Sequence, residues 1–188
     1  MSRRRGRALR LVVTGPYGAG KTTLISSISD TPVLATEQSV TAPDGGPKRS
    51  TTVAMDFGRL RIDDELVLHL YGTPGQRRFD FMWRILADGM LGFVVVVDAG
   101  DAPRLAEARQ MLRYFGEDPH IPAVVAVNKG TREPAELDRV AADLAVPERV
   151  GVVACDARDR ESVKGTLVAL LDAVLQRLPP SGEATVGV

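Results

Sequence analysis

Short apolar runs alternate with amphipathic stretches along the whole chain. Ala8–Thr14 reads as a strand and Lys21–Ile28 as a helix. Thr51–Ile62 and Leu66–Tyr71 are strand-like runs split by Asp63-Asp64-Glu65, which predicts an antiparallel hairpin. Phe79–Ala87 has helical spacing. Leu91–Val97 contains the unbroken run Phe93-Val94-Val95-Val96-Val97, as expected of a strand buried on both faces. Pro103–Phe115 places Leu105, Ala108, Leu112 and Phe115 on one helical face. Ala123–Val127 and Val150–Ala154 are further apolar strands. Between them Pro134–Leu144 begins with proline, which a first helical turn tolerates. Arg160–Leu178 repeats Val163, Leu167, Leu170, Leu171, Val174 and Leu178 at helical spacing, and Pro179-Pro180 stops it. Asp30–Ser50, with three prolines and paired glycines, reads as a long loop.

Strands separated by helices predict an α/β fold: a mostly parallel six-stranded sheet with one antiparallel strand, flanked by about five helices. Ligands in such sheets bind at the carboxyl ends of the strands. The loops after Thr14, Tyr71, Val97, Val127 and Ala154 are therefore where chemistry is expected.

Composition narrows the class. A chain of 188 residues, 44% hydrophobic and 26% charged, suits one ordinary globular domain. Its 24 basic and 24 acidic residues cancel, which argues against wholesale nucleic-acid binding. One cysteine excludes a disulfide framework and fits a reducing compartment. Twenty of the basic residues are Arg, so a single Arg is weak evidence while Lys21 and Lys129 stand out. The expected organisation is a basic tail over residues 1–7, one domain over 8–178 and a flexible tail over 179–188. The N-terminal arginines run into Leu11-Val12-Val13, too short for a secretory signal. Ser2 is not a myristoylation glycine and the C-terminus offers no prenylation cysteine. A cytoplasmic location follows, with any contact at the inner membrane face made through the basic N-terminus or a partner.

The most specific signal is Gly15-Pro16-Tyr17-Gly18-Ala19-Gly20-Lys21-Thr22, a G-x-x-x-x-G-K-[ST] loop between a strand and a helix. Its glycines let successive backbone N–H groups turn toward phosphate oxygens, and the helix start adds partial positive charge. Lys21 is expected to reach the β- and γ-phosphates, Thr22 to offer its hydroxyl to Mg²⁺, and Thr23 to complete the site.

Leu70-Tyr71-Gly72-Thr73-Pro74-Gly75-Gln76 resembles the D-x-x-G-Q segment of Ras-like small GTPases. The resemblance implies a P-loop, Ras-like G domain in which the Gly75 N–H senses the γ-phosphate and Gln76 orients water. Gly72 replaces the Asp that serves Mg²⁺, and Asp98 and Asp56 are candidate substitutes. Lys48-Arg49-Ser50-Thr51-Thr52 resembles the first switch, with Thr52 (or else Thr51) closing on Mg²⁺ and Arg49 spaced like an in-chain catalytic arginine. Asn128-Lys129-Gly130-Thr131 resembles N-K-x-D, with Thr131 in place of the guanine-reading Asp; Glu133 is one conceivable replacement. Cys155-Asp156-Ala157-Arg158 resembles the S-A-K loop, which implies that Asp156 and the Ala157 N–H line the base and that Arg158 packs on it. Cys155 reads as a packing residue.

Taken together, these motifs look most like the conservon GTPases of actinobacteria, relatives of the Mgl-type prokaryotic small GTPases. That resemblance implies GTP/GDP and Mg²⁺ as ligands and a signalling switch with slow hydrolysis. It also implies a Roadblock-domain protein and a sensor-kinase-like protein as partners. A pseudo-GTPase scaffold and a P-loop ATPase or kinase are the competing readings. Tyr17 either crowds an incoming arginine or points outward. Phe79, Phe81 and Trp83 are either core or a partner surface. His69 and His120 lack neighbours that would make them ligands.

Overall fold

The computed structural model describes residues 7–41, 50–74 and 81–177. In chain order the elements are β1 (Arg7–Thr14), α1 (Lys21–Ile28), β2 (Leu34–Thr41), β3 (Ser50–Arg61), β4 (Leu66–Gly72) and α2 (Phe81–Ala87). They continue with β5 (Gly92–Asp98), α3 (Ala102–Phe115), β6 (Ala123–Asn128), α4 (Pro134–Leu144), β7 (Gly151–Cys155) and α5 (Arg160–Leu175). The sheet order is β2-β3-β4-β1-β5-β6-β7. β3 runs antiparallel to both its neighbours and every other pairing is parallel.

Among the described residues, the α/β class, the mostly parallel sheet with one antiparallel strand and five helices match expectation. There the strand count is corrected from six to seven, because Leu34–Thr41 lies in the stretch read as loop. Pro32 precedes this strand, and Pro43, Gly45, Gly46 and Pro47 follow it, so none of them interrupts it. Leu34–Thr41 shows little apolar alternation of its own. Its order comes from pairing with the long β3, from Leu34 opposite Phe57 to Thr41 opposite Ser50. The last helix ends at Leu175, three residues before the proline pair's neighbour Leu178.

The apolar run on β5 divides by parity. Phe93, Val95 and Val97 enter the cluster beneath α2, α3 and α4, with Leu105, Met111, Leu112 and Phe115. Val94 and Val96 enter the opposite cluster with Leu24 and Ile25 of α1 and Leu167 and Leu170 of α5. All five β5 residues are fully buried. Each such side chain contributes about 1.5–3 kcal/mol over an exposed one, so this central strand holds the two helix layers at fixed depth. Trp83 belongs to the core, stacked edge-on against Tyr114 and tilted against Phe115. Phe79 and the Phe81 side chain lie outside the described residues. Cys155 is buried, and burial pushes its thiol above the usual range, as a packing residue requires. Among the described residues no helix is long and apolar enough to cross a membrane.

Candidate functional site

The loop between β1 and α1 lies at the carboxyl end of the central strands. Gly20 precedes α1 with φ 111°, a left-handed backbone that L side chains avoid, and a Cβ there would run into the Asn128 amide. Only glycine allows the loop to close down on Asn128. Lys21 begins α1, is 7% exposed, and donates to Gly15 O and Pro16 O at 2.7 Å each. Burial lowers its pKa from 10.5 to about 8; Asp56 opposes that shift and Arg104 adds to it.

The loops are tied together around Asn128 at the end of β6. Its Nδ2 donates to Ala19 O at 2.9 Å, and its Oδ1 accepts from the buried Ala157 N–H at 3.1 Å. One amide therefore joins the phosphate loop to the loop after β7. Ser27 of α1 adds a bond to Ala157 O at 2.8 Å. Lys129, in a left-handed backbone conformation, donates to Gly18 O and to Asp98 Oδ2, both at 2.9 Å. At the end of β4 the Thr73 N–H donates to Val13 O, and its hydroxyl meets that of buried Thr14, each at 2.9 Å.

The antiparallel register of β3 and β4 places Asp56 directly opposite Gly72. Thr22 Oγ1 donates to Asp56 Oδ2 at 2.5 Å. A Cβ on Gly72 would lie 2.9 Å from Asp56 Cβ and 3.0 Å from Ile25 Cδ1. The carboxylate that the sequence lacks at position 72 thus stands on the neighbouring strand, and the glycine makes room for it. Asp98, the other candidate, is spent on Lys129 and on the Gly100 N–H. Among the described residues no three His, Cys, Asp or Glu side chains gather to hold a metal by themselves. Thr22 and Asp56 do supply two hard oxygens side by side, the donor type that Mg²⁺ takes when phosphate and water complete its shell.

Beside this corner opens a cleft of about 490 Å³ bounded by Gly18, Gly20, Thr23, Asn128, Lys129, Gly130, Arg132 and the run Cys155-Asp156-Ala157-Arg158. Thr131 does not line it. The Thr131 N–H and hydroxyl both turn to Glu136 Oε2, at 2.7 and 3.2 Å. Glu133 sits at the N-cap position of α4, without a side-chain capping bond, and does not line the cleft. Asp156 accepts from the Arg158 N–H at 3.0 Å and from Arg158 Nε at 3.2 Å, and it pairs with Arg132 Nη2 at 3.3 Å. Hydrogen bonds from Arg158, to the carboxylate first by its side chain and then by its backbone, hold the Asp156 pKa below the usual value.

Tyr17 is 62% exposed and points outward. Arg104 of α3 donates to Tyr17 O, lies 5.5 Å from the centre of its ring, and is braced by Asp101 at 2.9 Å. Arg104, Arg132 and Glu136 carried no sequence signal, since an arginine in so Arg-rich a chain is unremarkable until its loop is placed. Arg49, Gly75 and Gln76 lie outside the described residues. Thr52 pairs with Ser39 of β2 through its backbone, and its side chain also lies outside them. His69 packs edge-on against Phe57 and Tyr71.

Residues 32–134 match the family described as conserved hypothetical ATP binding protein. An uncharacterized protein of Methanocaldococcus jannaschii is 31% identical over 121 residues, covering 64% of this chain and 70% of its own. ADP-ribosylation factor-like protein 4D of Bos taurus and of Homo sapiens is 28% identical over 187 residues, covering 90% of this chain and 85% of theirs. Translation initiation factor IF-2 of Acinetobacter baylyi is 29% identical over 185 residues, 92% of this chain but 19% of that protein.

Proposed function

The chain belongs to the family described as conserved hypothetical ATP binding protein, its relatives point to a P-loop nucleoside-triphosphatase, and we propose that it is a Mg²⁺-dependent guanine-nucleotide switch with slow hydrolysis. The observation that carries this reading is the Thr22–Asp56 contact opposite Gly72. It supports a cation corner of two hard oxygens at a phosphate loop whose usual Asp is missing. Thr22 and Asp56 would hold Mg²⁺, which when bound supplies positive charge beside the phosphates.

The remaining work falls to the chain. The backbone N–H groups from Tyr17 to Lys21 orient the phosphate tail, and the start of α1 adds its dipole. Lys21 exchanges its two carbonyl partners for phosphate oxygens and brings a charge that burial has made costly. Such fixed donors stabilise charge that builds up in the transition state. Gln76, with the Gly75 N–H, is assigned the placement of attacking water, and Thr52 the closure of the first switch. Arg49 remains the candidate in-chain arginine. Slow hydrolysis without a partner, which the resemblance implies, belongs to the same reading. Regulation by a Roadblock-domain protein, as in the conservon GTPases that the motifs resemble, belongs to the same proposal.

The test is direct. Protein denatured after purification should release a purine nucleotide readable by chromatography, and Lys21→Ala should abolish it. Undiminished nucleotide in Lys21→Ala would end the proposal. A scaffold that binds but never hydrolyses would show GTP persisting through a long incubation with Mg²⁺.

A further inference from the structure

A nucleotide-binding cleft needs something to read the base, and Thr131 cannot do so here. It carries no carboxylate, does not line the cleft, and commits both its donors to Glu136. The two bonds to Glu136 hold Thr131 away from the cleft.

Asp156 is the one carboxylate among the described residues that line this cleft. Its backbone N–H is fixed by Ser162 Oγ at 2.9 Å, and the adjoining Ala157 N–H is fixed by Asn128. The side chain therefore projects from a rigid loop. Among the described residues its oxygens are met only by arginine: Oδ1 accepts from the Arg158 N–H at 3.0 Å and from Arg158 Nε at 3.2 Å, and the bonds of Oδ2, from Arg132 and Arg158, are long, at 3.3 and 3.4 Å. Both arginines are more than half exposed. Exposed ion pairs of this kind are worth little and exchange readily for better donors.

We propose that Asp156 is the base-reading carboxylate of this site, accepting hydrogen bonds from the adjacent N1–H and 2-amino donors of guanine in place of the residue that Thr131 does not supply. This rests on the nucleotide reading above and deepens it by naming the base. The chemistry selects guanine because its pairing edge offers two neighbouring donors to one carboxylate. Adenine presents an acceptor at N1, which faces a carboxylate unfavourably. Xanthine carries an oxygen at position 2, so it repels a carboxylate but suits the amide donor of an asparagine.

The experiment is equilibrium binding of GDP, IDP, ADP and XDP to the full chain with Mg²⁺, using wild type, Asp156→Asn and Lys21→Ala. Wild type should bind GDP best, IDP more weakly for lack of the 2-amino group, and ADP and XDP at least tenfold more weakly. Asp156→Asn should lose at least tenfold for GDP and gain at least tenfold for XDP, with ADP within threefold of wild type. A gain for XDP cannot come from misfolding. GDP affinity of Asp156→Asn within threefold of wild type would overturn the assignment. So would an equal fall for all four nucleotides, which would make Asp156 only a brace for its arginines, and so would a wild-type preference for ADP. The Lys21→Ala arm tests the nucleotide site itself: its failure to weaken any nucleotide removes the site, whereas the Asp156 outcomes concern only the base.

Discussion

The pair formed by Asp56 and Gly72 makes a demanding prediction, because exchanging two residues across one strand pair should conserve a function that either single change destroys. In Gly72→Asp the new Cβ alone would lie 2.9 Å from Asp56 Cβ, 3.0 Å from Ile25 Cδ1 and 3.2 Å from Asp56 Oδ2. Overpacking of this kind costs about 1–3 kcal/mol. It also sets two carboxylates against each other, so that one must take up a proton. For a chain of this length each kcal/mol lowers the melting temperature by about 2–4 °C, giving a fall of about 2–12 °C. Asp56→Gly relieves that crowding but removes the only described carboxylate bonded to Thr22. Loss of such a partner typically weakens metal binding by about 10–100-fold. The double variant Asp56→Gly/Gly72→Asp returns one carboxylate to the same cross-strand position, since residues 56 and 72 are direct register partners. Its melting temperature and Mg²⁺ requirement should both recover most of the loss. The assay is thermal unfolding of the nucleotide-free chain, together with the Mg²⁺ dependence of fluorescent GDP release, over all four members of the cycle. Additive losses in the double variant would refute the cross-strand account. So would an unchanged Mg²⁺ requirement in Asp56→Gly.

Three further outcomes follow from the same geometry. Lys21 has a folded pKa of about 8 against 10.5 ordinarily; a lowered lysine penalises folding fully below pH 8, and the penalty lifts as pH rises toward 10.5. At about 1.36 kcal/mol per pH unit this is about 3 kcal/mol, so the stability of wild type relative to nucleotide-free Lys21→Met should rise by about that much between pH 8 and 10.5; a difference independent of pH would contradict it. Asn128→Ala leaves the buried Ala157 N–H and Ala19 O without their partners, and should cost about 1–3 kcal/mol in chemical denaturation, with nucleotide affinity falling in parallel. Arg104→Ala frees Tyr17 O; its effect should appear as faster proteolysis and amide exchange at the phosphate loop in the nucleotide-free chain, and unchanged exchange there would show that the contact does not brace the loop.

Much of this architecture was legible in one dimension. Helices and central strands were readable because period and burial coincide: each β5 residue from Phe93 to Val97 is apolar and each is buried. The phosphate loop was readable because its chemistry is contiguous, with glycines, Lys21 and Thr22 within eight positions. What escaped was assembled across distance. The strand Leu34–Thr41 has no marked pattern, and its hydrogen-bond partners are residues of β3. The acid beside Thr22 comes from sixteen positions before the motif it completes, and only the antiparallel register of β3 and β4 sets it opposite Gly72. The cleft beside it likewise depends on Thr131 turning toward Glu136 and on Asn128 joining Ala19 to Ala157, which lie 109 and 29 residues from it. Local order follows from side-chain periodicity along a single segment, which is written in the chain. Which acid meets which hydroxyl is set by sheet pairing and loop closure, whose energies belong to residues far apart in sequence, and that only the folded molecule decides.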